Sequence, residues 1–138
     1  MKKILLASDC LISVMEKQEP NYKAVAYILS HAKKMKLKVF FSSFAMHTTY
    51  LRIKEEKEEI EAVSTLQNLT ELGKIAYPDE KTFKKALQLT GNEFEMAIEL
   101  QIAIDSHIDF FVTNKINIIR NNKVNIVNAD QLLSAIVK

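Results

Sequence analysis

Glycine, proline and cysteine are scarce in this chain of 138 residues, which holds 2 Gly, 2 Pro and 1 Cys. So few glycines and prolines exclude a flexible linker, a low-complexity segment and a glycine-rich phosphate loop, because each of these needs several such residues close together. A single cysteine excludes an intramolecular disulfide and is typical of a reducing compartment. We therefore interpret Cys10 as a small buried apolar side chain rather than a nucleophile.

Long apolar runs are also missing. The first residues, MKKILLASD, contain two lysines, but the apolar run covers only residues 4–7. It is shorter than the core of a signal peptide, which needs about 7 to 15 apolar residues. No other run approaches the length of a membrane span. We therefore expect a cytoplasmic protein without a membrane partner.

The charge and size of the chain leave several function classes open. The formal net charge of +2 is too small to indicate a nucleic-acid partner by itself. With 48% hydrophobic residues, the chain is long enough for one domain with a proper core and too short for two. We expect a single domain over residues 1–138.

The clearest structural signal is the stretch 94–115, FEMAIELQIAIDSHIDFFVTNK. Asn92 and Glu95 have the spacing of a capping box, so a helix is predicted to begin near Glu93. Apolar side chains surround most of this helix, which indicates burial on several sides. The run 109–113, DFFVT, then predicts a short strand buried on both faces.

Short apolar segments elsewhere alternate with helical patterns. Further strands are predicted over residues 3–7, 39–42, 74–77 and 124–127, the third of them at an edge of the sheet. Ser8 and Asp9 are expected to cap the helix after the first strand, and Asn128 with Gln131 forms a second capping box before the last helix. This alternation predicts an α/β fold in which a mainly parallel sheet of about five strands lies between two helical layers.

The middle of the chain carries a long helical pattern. A helix is predicted from residue 44, and the charged run 54–59, KEEKEE, continues it. An apolar side chain then recurs every three residues, at Ile60, Val63, Leu66, Leu69 and Leu72. This row indicates one arm of a helical hairpin that packs within the domain or on a second copy of the protein. Gly73 is expected to end this helix.

The next helix is predicted to open at Pro78 and Asp79. Its inward face is predicted to consist of Phe83, Ala86 and Leu87.

Several motifs follow one another along the chain. ASDCLIS at 7–13 precedes EPNY at 19–22, FFSSFAMHTTYL lies at 40–51, FEMAI and DFFVTNK lie at 94–98 and 109–115, and VNIVNADQLL lies at 124–133. Their order and spacing resemble the PIN domains, small metal-dependent ribonucleases that include many bacterial toxins of toxin–antitoxin pairs. The resemblance covers nearly the whole chain. It implies a three-layer α/β/α PIN-like fold in which the first and fourth strands lie side by side.

PIN domains hold one or two Mg²⁺ or Mn²⁺ ions with three or four carboxylates, and these ions activate water against a phosphodiester. The resemblance aligns the positions of these carboxylates with Ala7, Ser13, Thr48, Met96 and Lys115. None of these five residues is acidic. A methionine makes its part of the pocket apolar, and a lysine adds a positive charge where a cation would lie. We therefore interpret these five residues and Asp9 as a vestigial pocket with no catalytic residue, metal ion or cofactor.

Acidic residues in the same segments define an alternative, displaced site. Asp9 and Glu95 are candidate metal ligands, but both also lie at helix N-termini, where a carboxylate accepts backbone hydrogen bonds. Asp109 is the third candidate acid. Lys115 is interpreted as a contact to an RNA phosphate, as a counter-ion to Asp9 or as a surface lysine.

The histidines indicate no further site. His31, His47 and His107 lack the paired spacing of metal ligands and are expected to be structural or exposed. Asp105, Ser106 and His107 are expected to form a helix C-terminal turn, because a catalytic triad is defined by geometry and adjacent residues point in different directions.

Three functions agree with these observations. The first is a PIN-like protein that has lost metal-dependent ribonuclease activity and acts as a binding or regulatory protein, with a second copy of itself or an antitoxin-like protein as partner. The second is an active Mg²⁺- or Mn²⁺-dependent ribonuclease with a displaced site around Asp9, Glu95 and Asp109. The third is an RNA-binding module that does not cleave.

Overall fold

A computed structural model describes residues 1–18, 21–89, 93–116 and 123–136. Parallel strands β1 (Lys2–Leu6), β2 (Leu37–Ser42), β3 (Lys74–Ala76), β4 (Phe110–Val112) and β5 (Asn125–Val127) form a sheet in the order β3-β2-β1-β4-β5. All five predicted strands are confirmed, including β3 at an edge. β1 and β4 are neighbours, as the resemblance to PIN domains implies.

Helices of the described residues connect these strands. They are α1 (Ser8–Met15), α2 (Tyr22–His31), α3 (Ser43–Lys54), α4 (Glu59–Leu72), α5 (Glu80–Leu87), α6 (Phe94–Asp105) and α7 (Ala129–Ile136). Each of the first three strand connections contains two helices. They therefore have the length that a crossover between parallel strands needs.

The sheet is buried on both faces, because successive side chains of a strand point to opposite sides. On one face, Ile4, Leu6, Val39, Phe41 and Val112 pack in a cluster with buried side chains of α1, α2 and α7. On the other face, Leu5, Ala7 and Phe111 pack in a second cluster with α6 and with Ala86 of α5. The predicted three-layer α/β/α arrangement is confirmed.

Helix α6 is the most buried helix of the described residues. Eight consecutive residues, from Met96 to Ala103, are buried. The helix begins at Phe94, and its N-cap residue is Glu93, whose side chain forms no capping hydrogen bond. Asn92, the first member of the predicted capping box, lies outside the described residues.

The capping box at α7 is confirmed. The N–H of Asn128 donates to Oε1 of Gln131 at 2.9 Å, and the N–H of Gln131 donates to Oδ1 of Asn128 at 2.8 Å. The predicted caps of α1 are wrong, because Ala7 is its N-cap residue and no side chain caps it. Ser8 and Asp9 instead lie inside the first turn, where their side chains bind α6 and the end of β4.

The predicted continuation of α3 through KEEKEE is wrong. Helix α3 ends at Lys54 and α4 begins at Glu59, so the charged run forms the turn of a helical hairpin in which α3 and α4 pack on each other. Like charges three and four residues apart destabilise a helix. Glu55, Glu56, Glu58 and Glu59 have this spacing, which favours a break here.

The apolar row of α4 is only partly used within the domain. Leu69 is buried and Leu66 packs on the core, whereas the exposed fractions of Ile60, Val63 and Leu72 are 77%, 41% and 46%. Packing within the domain therefore accounts for two of the five side chains. Ile60 and Val63, one helical turn apart, form an exposed apolar surface, and Leu72 is exposed at the other end of the helix.

The predicted inward face of α5 is correct only for Ala86. Thr82 and Ala86 are buried, whereas Phe83 and Leu87 are exposed by 38% and 61%. The small side chains allow α5 to lie close to α6, and this close packing leaves the large neighbours at the rim. Phe83 there meets Phe94 edge-to-face, with ring centroids 5.2 Å apart.

Gly73 ends α4 as predicted, and the reason is a close approach to β2. A Cβ atom at this position would lie 2.8 Å from the carbonyl oxygen of Val39 and 2.8 Å from the ring of Phe41. Only glycine therefore allows the chain to pass from α4 into β3 at this distance from β2.

Two further observations complete the description. Glu19 and Pro20 of the EPNY motif lie outside the described residues, and Tyr22 begins α2. No helix in the described ranges has the length and apolar character needed to cross a membrane.

The capping box at α7 predicts a measurable loss of stability. We expect Asn128→Ala to lower the free energy of unfolding by about 1 kcal/mol, because it removes the acceptor of the Gln131 N–H. Urea denaturation measures this change. Asn128→Asp is the matched control, since aspartate keeps the acceptor and should retain most of the stability. Equal losses in the two variants would contradict this role of the cap.

Candidate functional site

The carboxyl ends of β1 and β4 lie side by side, and we call the place where they meet the crevice. Leu6 pairs with Val112, and the N–H of Ala7 donates to the carbonyl oxygen of Val112 at 2.9 Å. Residues 7–9 and 113–115 therefore meet at the carboxyl edge of the sheet, which is where ligands of open parallel sheets bind. The N-terminal half of α6 supplies further side chains to this edge.

Asp9 links α1 to the end of β4 through hydrogen bonds. Its Oδ2 accepts a hydrogen bond from Oγ1 of Thr113 at 2.8 Å and one from the N–H of Asn114 at 2.9 Å. Its Oδ1 is buried and has no hydrogen-bond partner among the described residues. Asp9 therefore does not cap its own helix, and one of its oxygens remains available.

Glu95 binds two hydroxyl groups from other elements. Its Oε1 accepts hydrogen bonds from Oγ of Ser8 at 2.8 Å and from Oγ1 of Thr48 at 3.2 Å. Thr48 is the residue that the sequence analysis predicts at an acidic position of PIN domains. In this chain its hydroxyl donates to the Glu95 side chain.

Glu99 is a buried carboxyl group that the sequence analysis missed. It has no exposed surface, and its two oxygens each accept the N–H of Ser8 at 3.2 Å, while Oε1 also accepts Oγ of Ser42 at 3.1 Å. Burial raises the pKa of Glu99 from 4.5 to about 8; the hydrogen bonds from Ser8 and Ser42 oppose this rise, and the charges of Glu95 and Asp9 add to it. Glu99 is therefore mainly protonated at neutral pH.

The signal that marks Glu99 is present in the sequence. It is the one acidic residue in the apolar run MAIELQIAI, on a helix whose pattern predicts burial on several sides. Glutamate is almost never fully buried unless it has a partner. A charged residue type inside such a helix therefore indicates a polar cluster at the carboxyl edge of the sheet.

The other positions of the vestigial pocket are structural. Ala7 has no exposed surface and Met96 exposes 6% of its surface. Both belong to the apolar cluster between the sheet and α6. The hydroxyl of Ser13 donates to the carbonyl oxygen of Asp9 at 2.9 Å and accepts from Nδ2 of Asn114 at 3.0 Å. These three side chains pack or bind neighbouring elements of the fold.

Lys115 lies at the rim of the crevice and does not pair with Asp9. Its Nζ is 3.8 Å from Oε2 of Glu93, and both side chains are largely exposed. The interpretation of Lys115 as the counter-ion of Asp9 is therefore wrong, because Thr113 and Asn114 supply the donors that Asp9 uses.

Asp109 does not belong to the crevice. It precedes β4, and its Oδ2 accepts the N–H of Lys3 at 2.8 Å at the amino end of β1. Because the strands are parallel, this end of the sheet lies opposite to Thr113. The displaced site of Asp9, Glu95 and Asp109 is wrong in its third member.

The remaining candidates have structural roles. Cys10 is buried, and burial raises the pKa of its thiol well above the usual value, so it is not a nucleophile at neutral pH. Asp105 ends α6, and its carboxylate accepts hydrogen bonds from Thr82 at 2.6 Å and Gln101 at 3.0 Å. No histidine takes part in that cluster, and His107 is an exposed residue with a φ of 56° in the turn after α6.

The residues of the crevice do not fit a Mg²⁺ or Mn²⁺ centre of the PIN type. These ions need several free, charged oxygen ligands. Both oxygens of Glu99 accept hydrogen bonds, and Glu95 and Asp9 each use one oxygen to accept two hydrogen bonds. Within the described ranges, no group of three or more His, Cys, Asp or Glu side chains is arranged to hold a metal ion.

Comparisons with known proteins support the fold alone. The sequence matches no protein-family model and no curated protein. Its structure is similar to DNA-bound VapBC from Salmonella typhimurium, with a TM-score of 0.70, 12% identity, and coverage of 94% of this chain and 99% of that one.

Two further structures are similar to this chain. VapBC2 from Rickettsia felis, bound to a promoter DNA fragment, has a TM-score of 0.65 and 15% identity over 91% of this chain and 98% of that one. VapC20 from Mycobacterium tuberculosis, a toxin that cleaves the sarcin–ricin loop, has a TM-score of 0.61 and 12% identity over 78% and 86%. The chain therefore has the fold of VapC PIN-domain proteins.

Proposed function

We propose that this chain is a PIN-fold protein that does not hydrolyse RNA with bound metal ions and acts by binding other macromolecules. The observation that supports the proposal best is the hydrogen bonding of the crevice. Hydroxyl and backbone donors from Ser8, Ser42 and Thr48 engage the carboxyl groups of Glu95 and Glu99. A metal ion would have to displace these donors and ionise Glu99, and both changes cost free energy.

The residues at the family's ligand positions support the same proposal. Ala7 and Met96 are packed in an apolar cluster and have no oxygen in the side chain. Lys115 contributes a positive charge at the rim of the crevice. A divalent ion would therefore meet apolar groups on one side and a like charge on another, which is unfavourable for hard cations.

The exposed apolar side chains of α4 support a protein as the binding partner. Ile60 and Val63, one helical turn apart, form an exposed apolar surface on α4, which is typical of a protein–protein contact. Similar structures are VapBC complexes, so we propose a second copy of this chain or an antitoxin-like protein as the partner, in a cytoplasmic, single-domain protein.

One observation favours a second candidate, an active metal-dependent ribonuclease with a displaced site. Oδ1 of Asp9 is buried without a partner among the described residues, and a cation would satisfy it. Asp9 and Glu95 both influence Glu99 electrostatically, so three carboxyl groups are near one another. This candidate requires Glu99 to be ionised, which makes the protonation of Glu99 a direct test.

The protonation of Glu99 predicts a pH-dependent stability. Its folded-state pKa of about 8 lies above the value of 4.5 for a free side chain, so the unfolded state binds fewer protons between these values. The contribution of Glu99 to stability is thus fully present below about pH 4.5 and is lost as the pH rises through about 8. The loss should be on the order of a few kcal/mol.

Glu99→Gln is the variant that isolates this effect. Glutamine is neutral at every pH and keeps an oxygen for Ser8 and Ser42. We expect the variant to match the wild type at pH 5 and to be more stable at pH 8, measured by urea denaturation at both values. Glu93→Gln, at the exposed acid that precedes the same helix, is the matched control and should leave the pH profile unchanged. A wild-type profile in Glu99→Gln would contradict a protonated Glu99.

The absence of metal-dependent cleavage is the second test. We expect calorimetry to detect no Mn²⁺ or Mg²⁺ binding to the crevice, and we expect no metal-dependent cleavage of structured or single-stranded RNAs. The variant Ala7→Asp/Met96→Asp/Lys115→Asp restores three carboxylates and should gain Mn²⁺ binding, which serves as a positive control if its circular dichroism is native-like. Metal-dependent cleavage by the wild type that Asp9→Ala abolishes would overturn the proposal.

The apolar surface of α4 predicts self-association. We expect light scattering after size exclusion to give twice the 15.8 kDa of one chain. Ile60→Glu should give the monomer mass, because it introduces a charge into an apolar contact. Leu87→Glu changes an exposed leucine of α5 and should leave the dimer intact. A monomeric wild type, or a dimer in Ile60→Glu, would exclude this surface as the dimer contact.

A further inference from the structure

Three lysines surround one aromatic ring at the amino end of the sheet. The pairing of β1 with β2 places Lys3 beside Lys38, and the pairing of β2 with β3 places Phe40 beside Lys74. Lys38 and Phe40 are two residues apart on β2 and therefore point to the same side. These four residues, which we call the lysine patch, lie on the face of the sheet that carries α6.

The ammonium groups of the lysine patch are held close together. Nζ of Lys3 and Nζ of Lys38 lie 5.9 and 5.7 Å from the centroid of the Phe40 ring, within the range of a cation–π contact. The charge of Lys74, and to a smaller extent that of Lys3, lowers the pKa of Lys38. The three lysines therefore repel one another, and Phe40 offsets part of this repulsion.

No acidic side chain of the described residues neutralises the lysine patch. The ion pairs found in those residues involve Arg52, Lys57, Lys84, Lys85 and Lys115. The carboxylate of Asp109 accepts the backbone N–H of Lys3. A cluster of like charges that forms no ion pair in the described part of the chain, next to a partly buried ring, has the chemistry of a site for an anion.

We propose that the lysine patch binds the phosphate backbone of single-stranded nucleic acid. Lysine is a point charge that binds phosphates, and the Phe40 ring holds two of the three cations in place. Positive side chains that contact the backbone phosphates supply the binding of single strands that does not read their sequence. The patch lies at the end of the strands opposite to the crevice, so the inference does not depend on whether the crevice is catalytic.

The test uses the full chain and a fluorescein-labelled oligodeoxythymidine of about 12 nucleotides, the length range of such sites. This probe lacks the 2′-hydroxyl and EDTA removes metal ions, so ribonuclease activity cannot affect the result. We expect fluorescence anisotropy to show binding that weakens with salt, with a slope of about −2 in log K against log salt for three phosphate contacts.

Substitutions identify the contacts. Lys38→Gln should reduce the slope by about 0.7 and the affinity about eightfold at about 50 mM salt, and Lys38→Gln/Lys74→Gln should reduce both further. Lys57→Gln removes the same charge from a lysine paired with Glu61 and should have little effect. Because Lys38→Gln removes a repulsion, its urea midpoint should equal or exceed that of the wild type, which excludes misfolding as the cause.

Four results would overturn the inference. The first is that the wild type does not bind the oligonucleotide, and the second is that the double variant binds it with unchanged affinity and slope. The third is that hexaglutamate displaces the labelled oligonucleotide at a lower concentration than the unlabelled oligonucleotide does, which would identify an acidic peptide as the ligand. Loss of binding in Lys115→Gln alone would assign the oligonucleotide to the crevice and would also contradict the lysine patch.

Discussion

The arrangement of the crevice depends on the hydrogen bonds that the buried carboxyl group of Glu99 accepts. This group accepts hydrogen bonds from Ser8 after β1 and from Ser42 at the end of β2, and it extends from the middle of α6. Three segments far apart in sequence are thus fixed by one buried side chain. A buried polar cluster stabilises a fold only when its donors and acceptors are matched. The same atoms cannot serve as free metal ligands without losing these partners, so structural and catalytic demands compete here.

The fold was largely predictable because its signals are local. Short apolar runs bounded by polar residues gave five strands, and the chain connections between them gave a parallel sheet. Asn128 and Gln131 form their capping box because both members lie within one turn. The errors also have local causes. The run KEEKEE has good helix formers, but its glutamates repel one another and the hairpin must reverse there. The large side chains of α5 have the periodicity of a core face, but its contact with α6 is made by Thr82 and Ala86.

The site was less predictable because its contacts join residues that are 47 to 105 positions apart. Ser8 and Asp9 have the residue types and positions of helix caps, and nothing local indicates that Glu95, Glu99 and Thr113 bind them. Resemblance to PIN domains identified the edge of the sheet at which Asp9, Glu95 and Glu99 lie, and it predicts that Ala7, Met96 and Lys115 stand at the family's carboxylate positions. It did not identify Glu99, because that residue lies one helical turn beyond a family position. Burial of an acid in an apolar helix is the physical signal that finds it.

The shape of the sheet also affects how copies of this chain meet. Its two outer strands, β3 and β5, have three residues each, whereas the central β1 and its neighbour β2 have five and six. An exposed strand edge is a template on which another chain can add a strand, and short edge strands reduce that hazard. Growth of a continuous intermolecular sheet is therefore disfavoured at high protein concentration. The proposed contact through side chains of α4 uses a surface separate from these strand edges, so it does not require backbone pairing between chains.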